Sequence, residues 1–233
     1  MTTERSNQTN QRRGFLNSLG AGATILGLSL FATRFNVKAE PQSALKPTSD
    51  ADAWFNQIKG KHRMVFDATH PHEVFPFAWP RVFLSTNVSS GTPEKDCTAV
   101  VVLRHSAIAY AFENKVWEKY NFGELFKVED QLTKAASKYN PFWQPPMGHY
   151  KLPGIGNVAI GINELQDSGV MFCVCDVALT VYSAAVAENM KTDAAEVKKD
   201  WLAGLLPKIQ VVPSGVWGLN RAQEHGCSYC FTG

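Results

Sequence analysis

The run from Thr98 to Leu103 reads Thr-Ala-Val-Val-Val-Leu, and after Thr98 it has no polar residue. A strand formed here has no face to give to water, so it must lie inside a sheet covered on both sides. The period then changes. From Ser106 onward Ile108, Phe112, Val116 and Tyr120 recur every fourth residue, with Glu113, Lys115 and Glu118 between them, which predicts an amphipathic helix. The same alternation continues: helices at 128–137 and 162–167, the latter stopped at Gly169, a strand at 170–175, a helix at 177–189, a helix at 193–206 capped by Thr192, a strand at 209–212, a helix at 216–224 and a closing strand at 228–231. Upstream, the short apolar run 63–67 stops at Ala68-Thr-His-Pro-His72 as a buried strand stops at a loop. Strand and helix in alternation predict the α/β class, a three-layer sandwich with a mainly parallel sheet and right-handed crossovers. With 45% apolar residues in 233, the chain can bury such a core.

The first 39 residues belong to a different economy. Arg12 and Arg13 precede Phe15 and Leu16, then a Gly- and Ala-diluted apolar stretch from Leu19 to Ala32, then Val37-Lys-Ala39. These parts resemble a twin-arginine (Tat) export signal, with cleavage expected after Ala39 and an exported, periplasmic protein as the outcome. The retained alternative is an N-terminal membrane helix. No second apolar run of 18 residues exists, so no transmembrane segment is expected after cleavage. The leader holds five basic residues and one acid. Taking these from totals of 23 and 21 leaves 18 basic against 20 acidic residues, so the rest of the chain offers no basic field for nucleic acid. Residues 40–60 read as an N-terminal tether and 61–233 as one α/β domain.

Residues 139–161 interrupt the alternation. They hold Phe142, Trp143, His149 and Tyr150 among Pro141, Pro145, Pro146 and Pro153 with no stable period. An insertion of that length in a compact domain is expected to be a lid over the C-terminal rim of the sheet or an arm into a neighbouring subunit.

Chemistry-bearing residues gather at predicted strand ends. Cys173 and Cys175 sit two apart on one strand, on one face and about 6 to 7 Å apart, too far for a relaxed disulfide. Cys175 ends its strand before a helix N-terminus, where unpaired amides favour a thiolate. Arg104 and His105 follow the second strand, and His70 and His72 follow the first. His70, His72 and His105 are candidates for metal binding or proton transfer, the alternative being that they are ordinary loop residues. Cys227 and Cys230 have the spacing of a disulfide, a redox dithiol or half a metal site. With Cys173 and Cys175 they would hold zinc or an iron–sulfur cluster if the topology joined the pairs. Phe231 stands where covalent haem attachment needs histidine. Single acids such as Asp67, Glu73 and Asp176 are available to assist a site, and Asp176 is placed to cap its helix. No phosphate-binding loop, dinucleotide fingerprint or nucleophile elbow occurs, so no nucleotide cofactor is implied.

From Gly169 through the Val-Val-Pro-Ser-Gly-Val turn at 211–216 to Tyr229, the chain resembles the DsrE/DsrF-like family of small α/β proteins connected with sulfur relay. The resemblance implies a DsrE-like fold, a homo-oligomer and a persulfide carried on Cys175, with a small sulfur species or thiol as partner; their place on the same strand-end rim makes His105 or Arg104 the group expected to tune that thiol. The competing expectation is a non-catalytic protein holding a transition metal or haem through the rim histidines and cysteines.

Overall fold

A computed structural model describes residues 49–130 and 133–233. The predicted leader, and the tether as far as residue 48, lie outside the described residues. The buried run predicted at Thr98 becomes β2 (Cys97–Leu103), and it occupies the centre of a five-stranded parallel sheet with β1 (His62–Ala68), β5 (Met171–Cys175), β6 (Ile209–Val212) and β7 (Ser228–Phe231). The order is β6-β5-β2-β1-β7. Alternate residues of β2 enter different cores, which is why the run tolerates no polar side chain. Val100 and Val102 pack with Phe55, Leu219 and Ala222 on one face, while Ala99, Val101 and Leu103 pack with Phe77, Trp117 and Leu179 on the other.

The helices follow from the order of crossings. The chain steps from β1 to β2, β5 and β6 in one direction, and α2 (Phe75–Ser89), α3 (Asn114–Tyr120), α6 (Asp176–Met190) and α7 (Ala194–Ala203) cover the larger face. The return from β6 to β7 spans the whole sheet. Its helix α8 (Gly215–Glu224) therefore covers the smaller face, beside the turn at Phe55–Gln57 that follows α1 (Ser49–Trp54). Among the described residues no helix is long and apolar enough to cross a membrane.

Several expected elements are corrected. The helix predicted from Ser106 is a 3-10 turn over His105–Ala111 and then α3, because Phe112 leaves the spiral to bridge Leu205. No helix forms among the described residues of 128–137; Glu129 bridges Ala136 instead. Asp193, not Thr192, caps α7 by accepting the amides of Ala195 and Glu196. Residues 75–89 carry no assignment from the sequence; α2 forms there with Pro76 in its first turn, where a missing N–H costs nothing, and keeps Pro80 inside it, its Phe77 and Leu84 buried in the larger core.

Residues 139–161 contain one short hairpin, β3 (Lys151–Leu152) against β4 (Gly156–Asn157), after α4 (Phe122–Phe126) and before α5 (Ile162–Asp167). The segment is no loose insertion. Phe142 lies 4.2 Å from Phe77 and stacks on Tyr150 at 5.0 Å, ring centroid to centroid, and both Phe142 and Tyr150 are buried. Asn140 anchors its start by donating to the carbonyls of Tyr110 and Phe112.

Candidate functional site

The strands of a parallel sheet point their C-terminal ends at one rim, and neighbouring strands whose following helices go to opposite faces leave a crevice between them. Here that pair is β5 and β6, since α6 leaves β5 for the larger face and α8 leaves β6 for the smaller. Cys175 ends β5 at this boundary. Its own sulfur caps α6, accepting the Ala178 N–H at 3.3 Å, so the cap expected of Asp176 falls one residue earlier. Asp176 instead pairs with Lys198 at 2.7 Å. Across the crevice Ser214 caps α8, and the Val177 amide donates to the Pro213 carbonyl, tying the two helix starts together.

Arg104 reaches this rim from the end of β2. Its guanidinium grips Asp67 with two hydrogen bonds, Nε to Oδ1 at 2.6 Å and Nη2 to Oδ2 at 2.9 Å, and Tyr229 donates its hydroxyl to the same carboxylate at 2.8 Å. Asp67 holds the Arg104 proton more tightly than usual, first through that hydrogen bond, with Tyr229 and Cys175 adding attraction. Arg104 and Cys175 directly follow Leu103 and Val174, which are paired on the neighbouring strands β2 and β5. Gly215 lies against the Arg104 stem, where no side chain would fit.

His105 follows with φ of +49°, a left-handed backbone that is uncommon outside glycine but that histidine adopts more readily than most residues. Its ring meets Tyr182 edge-on at 5.7 Å. His70 and His72 lie 5.7 Å apart, ring centroid to centroid, and burial followed by the charges of His72 and His105 lowers the pKa of His70. The loop that carries His105 meets the loop that carries His70, the Ala107 amide donating to the Thr69 carbonyl at 3.3 Å. The three histidines do not converge on a point: His70 Nδ1 lies 2.8 Å from Thr69 Oγ1, His72 Nδ1 lies 3.3 Å from the Thr232 carbonyl, and His105 Nδ1 lies 3.3 Å from Ser106 Oγ. Among the described residues no three His, Cys, Asp or Glu side chains are grouped to hold a metal ion.

The cysteines separate as well. Cys173 is wholly buried in the smaller core, whereas Cys175 touches the larger one, so the two thiols do not share surroundings as their common strand face suggests. Cys227 and Cys230, for which a disulfide is one of the readings, are free thiols in this structure. With β7 extended between them, their Cα atoms stand roughly 10 Å apart, beyond the reach of a bridge. Because β7 lies three strand spacings from β5, about 14 Å, the two cysteine pairs are not joined either. Burial pushes the Cys227 thiol up to about 11 and raises Cys173, Cys230 and Cys97 above their ordinary value, Cys97 also through Asp96 and Glu94.

No protein-family model and no curated protein matches the chain. Among solved structures, that of a protein of unknown function, MTH1491 from Methanobacterium thermoautotrophicum, is similar at 15% identity and a TM-score of 0.38, over 73% of this chain and 99% of that one.

Proposed function

We propose that this chain is an exported DsrE-like protein that handles sulfur or thiols through Cys175. The observation that carries the reading is the position of that sulfur: at the end of β5 by the β5/β6 boundary, accepting the Ala178 amide, beside the strand end from which Arg104 emerges. Amide donors and a fixed cation are the surroundings that hold an anionic sulfur species. Arg104 is a positioning residue, kept in place by Asp67 and Tyr229. Cys175 is only 6% exposed, which favours a small sulfur species over a protein thiol as its partner.

The step is a transfer without net oxidation. The Cys175 sulfur attacks the outer sulfur of a persulfide or polysulfide donor, the donor's sulfur–sulfur bond breaks, and the donor leaves as a thiol carrying the proton that Cys175 gave up. The product is a persulfide on Cys175. Exported location rests on residues 1–39 and their resemblance to a twin-arginine signal. Exposed Val177, Val181 and Val216 beside the crevice support the homo-oligomer that the family resemblance implies.

Intact mass after incubation with polysulfide tests the reading. One added sulfur atom is expected on the wild type and on a Cys97→Ser/Cys230→Ser variant, and none on Cys175→Ser. Equal labelling of wild type and Cys175→Ser, or no labelling of either, overturns it.

A further inference from the structure

The two edges of the sheet are finished differently. At the β6 edge α1 packs alongside, and the Gln210 side chain donates to the Val211 carbonyl at 2.9 Å. Along β7 no helix of the described residues makes more than a marginal contact. Thr232 donates its amide to the Asp67 carbonyl, and Asp67 is registered on Phe231, so the parallel ladder turns the backbone groups of Ser228, Cys230 and Thr232 towards β1. Those of Tyr229 and Phe231 point outward. Among the described residues their amides and the Tyr229 carbonyl have no hydrogen-bond partner, and the Phe231 carbonyl meets only the Cys230 thiol at 3.7 Å.

An open strand edge is a template for another strand, and soluble proteins guard it with a charge, a proline or a bulge. Ser228-Tyr-Cys-Phe231 has none of these. Cys230 packs towards the larger core, so Tyr229 and Phe231 share the other face, 48% and 55% exposed. On the side of the larger face the apolar border continues through His72, 3.3 Å from the Thr232 carbonyl, to Phe75 and to Trp79, which is 40% exposed.

We propose that β7 pairs antiparallel with β7 of a second copy, joining the two sheets across a two-fold axis at Cys230. The strand is complementary to itself in that register. Tyr229 of each copy stands opposite Phe231 of the other and exchanges both hydrogen bonds with it, so the outward backbone groups are all satisfied. The facing aromatics form cross-strand pairs on one face, and no like charges meet. Shifting the register by two residues sets these groups against Cys227 or Gly233, whose amide and carbonyl are already bonded to Ala222 and Thr69. In the proposed register Cys230 faces Cys230 of the second copy in a non-hydrogen-bonded pair, with Cα atoms about 4.5 Å apart, within disulfide range. The contact lies at the opposite edge of the sheet from the β5/β6 crevice, so it is separate from the chemistry of Cys175 and from any contact made by the valines there.

Oxidation of the dilute full chain with diamide tests the proposal. Two Cys230 thiols give their hydrogens to the diazene, which leaves as the hydrazine, and a dimer linked Cys230 to Cys230 is expected on peptide mass mapping. Cys97→Ser/Cys175→Ser is expected to link as wild type does, and Cys230→Ser not at all. Phe231→Lys installs the charge that guards natural edges, and Phe231→Pro removes the outward N–H while leaving the ladder to β1 intact. Each is expected to keep the melting temperature, to halve the assembly mass in light scattering and to lower the yield of linked dimer about tenfold. A monomeric wild type, no linkage, linkage through another cysteine, or an unchanged mass in either folded variant overturns the proposal.

Discussion

Asp67 is 1% exposed and carries a carboxylate that water would otherwise solvate. A buried charge costs several kcal/mol unless it is paired and hydrogen-bonded, and here the Arg104 fork and the Tyr229 hydroxyl together meet that need. Thr232 also closes on the strand, donating its amide and its hydroxyl to the Asp67 carbonyl. Removing the carboxylate leaves Arg104 without its anchor, so Asp67→Ala is expected to cost about 3 kcal/mol in urea denaturation. Tyr229→Phe, which removes one of three bonds to the same group, is expected to cost about 1 kcal/mol. Equal losses would show that the ion pair does not hold the rim. In the sequence Asp67 is legible only as a lone acid ending an apolar run, because its partners stand 37 and 162 residues away and no local spacing links them. Cys175 is legible, since both its strand and the helix after it are local patterns.

Helix α8 offers a comparison within one element. A Cβ added at Gly215 would lie 2.5 Å from the Arg104 Cβ, whereas one added at Gly218 would meet Val212 at 3.4 Å and the Cys173 sulfur at 3.6 Å, ordinary contacts. Gly215→Ala is therefore expected to destabilise by about 1–3 kcal/mol and to alter the alkylation rate of Cys175 by displacing Arg104. Gly218→Ala is expected to be neutral or to stabilise by up to about 1 kcal/mol through helix propensity. Two thermal melts and one alkylation series decide the matter; a loss at Gly218 equal to that at Gly215 refutes it. Strands β2 and β5 are legible because burial on both faces writes itself as a continuous apolar run, whereas the edge strands β6 and β7 show only as short runs between helices. Helix α2 is not legible, because Pro76 and Pro80 weaken its local helical signal, and it is the packing of Phe77 and Leu84 that decides it. The stretch at 128–137 has helical spacing but is drawn into a bridge between Glu129 and Ala136.

At the scale of the molecule, the aromatic segment changes status. Sequence reading makes it a cover that the α/β core can lose; the structure builds that core around it, with Phe142 and Tyr150 among the buried residues beside Phe77 and Tyr110. Phe142→Ala is expected to cost about 3–5 kcal/mol in chemical denaturation, and joining 138 to 162 through a short linker is expected to yield no folded protein. A deletion variant with wild-type cooperativity would contradict this. The strand order carries a further consequence, for the making of the protein. β1 is flanked by β2 on one side and by β7 on the other, and Phe66 pairs with both Val101 and Cys230. One edge of β1, the first strand among the described residues, thus waits for a partner more than 160 residues later in synthesis. During that interval it is an open template for pairing with other chains, so folding yield is governed by how fast translation finishes and by whatever shields β1 until it does.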